Sequence, residues 1–307
     1  YADADVVILG APIDSGTTYR SGTKMGPQAI RGTDYLPQDG ERPHLNMRVD
    51  GLKDLKVYDA GDVLMPPSDL GDSLNRLEKA TEKLAKEHGI TRVESDEFAC
   101  RSHELAAESW RSGFFANHTI QIETKNELLI DETIRETTSL ESLGKLKASF
   151  SDNGIITAGN SSPLSDGASG TLVASEDAIK EFSLKPKVEI LGFVAVGVKP
   201  YQFGYGPVPA IEKLLNKHNL KINDIDAIEI NEAFASQVLV CQKALKIKTE
   251  VLNSRGGGIA LGHPLGSSGS RILGTLIERL INDDLELGIA SLCIGVGQGA
   301  AMLVKRI

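Results

Sequence analysis

The chain has 307 residues, 41% hydrophobic and 24% charged, which suits a globular protein long enough for two domains. Its formal net charge of −9 argues against a broad nucleic-acid surface, which needs a basic footprint, and no apolar run reaches the ~18–20 residues that span a bilayer. Three cysteines give no disulfide framework, and no CxxC or HExxH stretch occurs, so a reducing, cytoplasmic setting without a metal is expected.

In chain order, DVVILGAP (5–12) is a short apolar run ending in Gly-Ala-Pro and reads as a buried strand. No basic and apolar leader precedes it, so no signal peptide is expected. A polar loop from Ser15 runs into a helix with Pro27 near its first turn, and LKVYDAGDV (55–63) reads as a second strand. Between Ser68 and His88 the residues Leu70, Leu74, Leu77 and Leu84 recur at helical spacing, and Glu94–Arg111 predicts another helix. Residues 123–153 are polar and poor in aromatics, which predicts an excursion over the surface and not core.

From residue 187 the pattern becomes regular. KVEILGFVAVGV is a strand, GPVPAIEKLLNKH a helix begun by Pro207 or Pro209, and IDAIEI a strand. EAFASQVLVCQKAL is a helix, followed by a short strand to Leu252 and a helix over PLGSSGSRILGTLIERLI. ELGIASLCIG and GAAMLVKRI close the chain as a hairpin. Strands alternating with helices predict a layered α/β domain, and the closing hairpin makes its sheet mixed.

Candidate chemistry collects in four small-residue stretches: TAGNSSPLSDGAS (157–169), NEAFA (231–235), GGGIALGHP (256–264) and CIGVGQG (293–299). Asn231 follows a strand directly, at the C-terminal edge where α/β sheets place ligands. His263 stands just before Pro264, expected to open a helix whose positive end keeps the imidazole neutral. Cys293 ends a strand ahead of a glycine turn, making it a candidate acid–base partner of His263, with Gly295 offering a backbone N–H to a developing oxyanion. The bland alternatives are a structural histidine in a glycine turn and small buried hydrophobes at Cys100 and Cys241. Ser162 carries no signal by itself. His88, His103, His118 and His218 read as solvated, as does the cluster Lys243, Lys246 and Lys248, unless the lysines meet phosphates.

Taken together and in order, RVESDEFACRSHELA, GYGPVPAIEKLL, NEAFASQ, GGGIALGHPLGSSGSRI and CIGVGQGAAM resemble the thiolase family of acyl-CoA C-acyltransferases, from about residue 91 to residue 307. GYGPVPA and CIGVGQG are nearest in tone to the 3-ketoacyl-CoA thiolases of fatty-acid degradation, with the acetoacetyl-CoA thiolases as the alternative. The resemblance implies thiolysis of 3-ketoacyl-CoA or the reverse Claisen condensation. CoA is then a substrate, no cofactor is needed, and the enzyme is a homo-oligomer. By the same resemblance, His263 activates the nucleophile and bonds the thioester oxygen, and Cys293 moves the α-carbon proton. Asn231 holds a water in the first oxyanion hole, Gly295 donates its N–H to the second, and Ser162 lies near the pantetheine arm. The family's nucleophilic cysteine lies farther upstream, and neither Cys100 nor Cys241 stands in its context.

VVILGAPIDSGTTYRSGTKMGPQAIR with LKVYDAGDV instead resembles the N-terminus of the agmatinase/arginase ureohydrolases, but no GGDH or DAHxD stretch follows. Asp14, Arg20, Asp59 and Asp62 do not amount to a clustered metal site, so none is expected. The expected organisation is a ureohydrolase-like fragment (1–90), a thiolase middle region (91–182) and a thiolase C-terminal domain (183–307), joined as a chimera. The rival function is a non-catalytic CoA-binding or assembly module, motivated by the absent nucleophile. A third reading is residual thioester hydrolysis, with Cys293 attacking and His263 as base, and ureohydrolase activity comes last.

Overall fold

The computed structural model describes residues 6–10, 43–44, 49–50, 57–62, 80–120, 130–149, 154–295 and 297–307. The chain divides into two compact units, Tyr1–Arg76 and Leu77–Ile307. In the first, the two apolar runs form strands as expected, β1 (Val6–Gly10) and β4 (Val57–Asp62), and these pair in parallel with Val6 facing Val57. Two short strands, β2 (Pro43–His44) and β3 (Val49–Asp50), pair antiparallel. The helix expected after Pro27, with Asp14 and Arg20, lies outside the described residues.

The second unit begins with helical residues 80–87, here α1, the described part of the expected 68–88 helix. Leu84, Ala85 and Ile90 are buried against Ile155, Ile156 and Val240. The next helix, α2 (Arg92–Arg111), starts on a reciprocal cap: Thr91 accepts from the Glu94 N–H, and the Glu94 carboxylate accepts from the Thr91 N–H. Two short helices follow, α3 (Leu140–Gly144) and α4 (Glu176–Glu181).

The expected alternation then appears: β5 (Val188–Gly197), α5 (Pro207–Lys217), β6 (Ala227–Ile230), α6 (Ala235–Leu245), α7 (Gly258–Leu261), α8 (Ser268–Asn282), β7 (Leu287–Ile294) and β8 (Gln298–Arg306). The strands lie in the order β5-β8-β7-β6, with β6 parallel to β7 and the other two pairings antiparallel. Period-two alternation sends successive side chains to opposite faces. Ile228, Ile289 and Leu303 therefore join the α2, α5 and α6 side chains in one core, while Ala227, Ala290 and Val304 meet Ile272, Leu276 and Leu280 of α8. Helices cover both faces, which is the layered α/β architecture with a mixed sheet anticipated from the pattern.

Three expectations need correction. The strand to Leu252 is only a bridge, Ile228 to Leu252. Asn253, at φ 45°, turns the chain, and its amide exchanges two hydrogen bonds with the Ile230 backbone in place of a ladder. The helix over PLGSSGSRI begins at Ser268, not Pro264. The described part of 123–153 is not a surface excursion alone: Leu143 is buried in the main core, Thr133 donates to the Ala260 carbonyl, and the Arg92 guanidinium caps the Leu143 carbonyl.

Candidate active site

The parallel pair β6–β7 sets the site. Ile230 faces Ser291, so both strands end on one edge, and the Asn231 N–H continues the ladder to the Ser291 carbonyl at 3.0 Å. Asn231 leaves β6 there, and Cys293 lies near the end of β7 beside it. Past β6 the chain reads Asn-Glu-Ala-Phe, and the Ala233 carbonyl accepts from both the N–H (3.0 Å) and the hydroxyl (3.2 Å) of Ser162. The 157–169 loop is thereby tied to the same edge.

That loop runs on along the His263 segment. Gly262 has φ 88°, and a Cβ there would fall 2.3 Å from Ser165 Oγ. Ser169 Oγ donates to the Ser267 carbonyl at 2.7 Å. His263 itself is half-buried, with Nδ1 2.6 Å from Ser268 Oγ and Nε2 3.1 Å from Asn231 Nδ2. Ser268 Oγ donates to the Pro264 carbonyl, so it accepts from Nδ1–H, and Nε2 accepts from the Asn231 amide. The ring is held as one neutral tautomer. Burial, then the Arg271 charge, lowers its pKa to about 4. The expected neutrality thus has a different origin: α8 starts five residues later, and desolvation replaces the helix end as the main cause.

Asn231 is buried, and its Oδ1 has no hydrogen-bond partner among the described residues. Cys293 is half-buried, paired across the hairpin with Gly299, and burial pushes its thiol up to about 12. A Cβ on Gly299 would stand 2.0 Å from the Gly206 carbonyl oxygen, so the start of α5 packs straight onto the hairpin opposite Cys293. Gly295 is exposed at the turn. Direct bonds join Asn231, His263 and Ser268, and one residue links Ser162 to them. Cys293 is placed by strand register on the adjacent strand, and Gly295 lies in the turn that follows it.

Sequence reasoning missed several residues here. Glu232 is fully buried and accepts from Ser102 Oγ (2.6 Å), Asn253 Nδ2 (2.9 Å) and the Ile259 N–H (3.2 Å). A cavity of about 280 Å³ is lined by Arg135, His103, Thr137, Thr138, Ser142 and Ser161 among others, but not by His263 or Cys293. His103, expected to be solvated, is 6% exposed, accepts from the Arg135 N–H, and is lowered by burial to about 4. His88 stacks on Tyr205, and His118 is lowered by burial against Phe114 and Phe115. His218 Nε2 is buried as well. Cys241 is fully buried and Cys100 half-buried, and burial raises both thiols, so neither is activated. Lys243, Lys246 and Lys248 are exposed, as expected.

Residues 184–306 match the family described as "Thiolase, C-terminal domain", and residues 52–177 match "Thiolase, N-terminal domain". The chain is 46% identical over 235 residues to a 3-ketoacyl-CoA thiolase of Colwellia psychrerythraea, covering 74% of this chain and 61% of that protein. This chain belongs to the thiolase family. Another thiolase-family relative, the peroxisomal 3-ketoacyl-CoA thiolase of Encephalitozoon cuniculi, is 45% identical over 240 residues, 78% of this chain and 61% of that protein. The crystal structure of the Bacillus anthracis acetyl-CoA acetyltransferase superposes with a TM-score of 0.70 at 40% identity, covering 75% of this chain and 60% of that one. This thiolase chain thus spans about three fifths of the length of the relatives it matches. Residues 4–93 also match the arginase family, overlapping the thiolase match from residue 52. Among the described residues no group of three metal-ligating side chains clusters, and no helix is long and apolar enough to cross a membrane.

Proposed function

We propose that residues 77–307 carry a thiolase-type acyl-CoA site, for thiolytic cleavage of a 3-ketoacyl-CoA or the reverse condensation. The observation that carries this reading is the Asn231–His263–Ser268 chain at the strand ends, with Cys293 on the adjacent strand. Burial lowers the ring's pKa to about 4, so at neutral pH it stands as the free base, the form a general base needs before it meets a thiol. The unpaired Asn231 Oδ1 supports its role in holding a water, since a buried acceptor left alone costs about 1–3 kcal/mol. Cys293, protonated at rest, suits delivery of a proton to the carbanion left when the C–C bond of a 3-ketothioester breaks. Gly295 is the N–H donor to the second oxyanion, and Ser162 stands near the pantetheine arm. That His263 and Cys293 serve one acyl pocket is part of this proposal.

Impairment at the acyl-cysteine step is part of the proposal: neither Cys100 nor Cys241 stands in the context of the family's nucleophile, and burial raises both thiols. The test is cleavage of acetoacetyl-CoA with added CoA. Any turnover should disappear in His263→Ala and Cys293→Ala, and a rate unchanged by both would refute the assignment.

The second reading is a non-catalytic CoA-binding module. The cavity favours it: one guanidinium and several hydroxyls suit a phosphorylated, polar ligand, and Ser161 joins it to the Ser162 loop. Calorimetry with CoA separates the two readings, since binding without turnover supports the module and turnover supports the enzyme. An agmatinase-like activity rests only on residues 4–93 and would need urea release from agmatine with Mn²⁺. Division into 1–90, 91–182 and 183–307 as a chimera, homo-oligomerisation and a cytoplasmic setting complete the proposal. The last is supported by three free thiols.

A further inference from the structure

The triple glycine at 256–258 is explained by what lies against it. A Cβ on Gly257 would fall 2.3 Å from the Glu232 carboxyl carbon, so only glycine lets that carboxylate sit against the loop. Glu232 is 0% exposed. Oε1 accepts from Asn253 Nδ2, and Oε2 accepts from the Ile259 N–H and Ser102 Oγ. Ser102 in turn accepts from the Gly257 N–H at 3.2 Å. Asn253 bonds both the N–H and the carbonyl of Ile230, the last residue of β6. One carboxylate therefore gathers α2, the end of β6, the Asn253 turn and the start of α7.

These four segments are not an arbitrary set. Asn231 precedes Glu232 directly, and Ile259 lies four residues before His263, separated from it only by the rest of α7 and the left-handed Gly262. The 3.1 Å contact between Asn231 and His263 spans two segments that the Glu232 carboxylate holds from beneath. Its partners donate, so the ionised form is the one they satisfy, and their hydrogen bonds oppose the upward push of burial on its pKa. No lysine or arginine bonds it directly among the described residues: its hydrogen bonds come from neutral donors, and the charge of Arg271 adds to them in favouring the ionised form.

We infer that Glu232 is a positioning residue: its buried carboxylate fixes the spacing between Asn231 and His263 and thereby the single tautomer of the imidazole. This deepens the function proposed above and rests on it for the roles of those two residues. Loss of the carboxylate lets the Ile259 segment relax from β6. Nε2 then loses its donor, and the ring is no longer confined to the Nδ1–H form.

The test uses the full chain labelled with ¹⁵N-histidine. The His263 ring signals are assigned by their loss in His263→Gln. The unmodified chain should show one Nδ1–H tautomer at neutral pH. Glu232→Gln keeps the volume but turns an amide N–H toward donors, and it should convert the His263 signals to a mixture of tautomers. Glu229→Gln, which removes a buried ion pair in the same sheet, should lower stability and leave the His263 spectrum unchanged. If Glu232→Gln does not fold, Ser102→Ala removes one donor only and should show the same mixing. The inference is overturned if a folded Glu232→Gln or Ser102→Ala chain keeps the single tautomer, or if Glu229→Gln shifts it equally. Absence of acetoacetyl-CoA turnover and CoA binding would instead sink the functional reading, and the spectrum would still decide Glu232.

Discussion

The two halves of the proposed site are held in different ways. Asn231 and His263 sit in a lattice of buried polar bonds, from Ser268 on one side to Glu232, Asn253 and Ser102 below. Cys293 and Gly295 lie on a hairpin whose position is set by strand register and by the absence of side chains where Gly206 meets Gly299. The first half is specified by donors and acceptors, the second by shape. The first should therefore respond to charge and pH, and the second to added volume.

Breaking the buried ion pair carried by β6, outside that lattice, should have the largest effect on stability. Arg279 of α8 is 2% exposed and pairs with the buried Glu229 of β6 at 2.6 Å. Arg279→Ala strands that carboxylate and should cost about 3–5 kcal/mol in urea unfolding.

The pH response comes next. His263 and His103 both have folded-state pKa values near 4, below the 6.5 of a free histidine. Their neutral forms are favoured by folding, so the contribution is complete above about pH 6.5 and is lost as pH falls toward 4. The ceiling is on the order of 3 kcal/mol per ring, and a His103→Gln chain should show a visibly flatter acid limb. A Cys293→Ala chain should keep the parent slope across that window.

Added volume sharpens the contrast from the other side. Gly299→Ala places a methyl against the Gly206 carbonyl and should cost about 1–3 kcal/mol by overpacking, while the His263 tautomer stays as it was. The smallest effect belongs to Thr91→Ala. It removes the cap of α2, the helix that carries Ser102, and should lower stability by about 1 kcal/mol in the same unfolding assay.

Most of the second unit was legible because its signals are local. Apolar alternation marked β5, β7 and β8, and Pro207 does open α5. What escaped was set by tertiary packing. His103 lies in a polar-looking helix and is buried because residues 130–149 fold over it, which RSHEL does not encode. Asn253 supplies ladder bonds with its side chain, so no strand pattern marks it. The four motif stretches identified the loops that converge, but nothing in NEAFA announced a fully buried carboxylate. Its trace was the unbroken Gly256–Gly258 run, intelligible only once Gly257 is seen against Glu232. The neutral imidazole was expected for the wrong reason, because Pro264 suggested a helix start that Ser268 provides.

Among the described residues β6–β7 is the one parallel pair of strands in its sheet, and its register fixes where β7 carries Cys293 relative to the end of β6. Because side chains alternate with a period of two, a single-residue phase error between these strands would turn the Cys293 thiol to the opposite face of the sheet. An insertion or deletion inside β7 would therefore relocate that thiol even if the sheet re-formed around it.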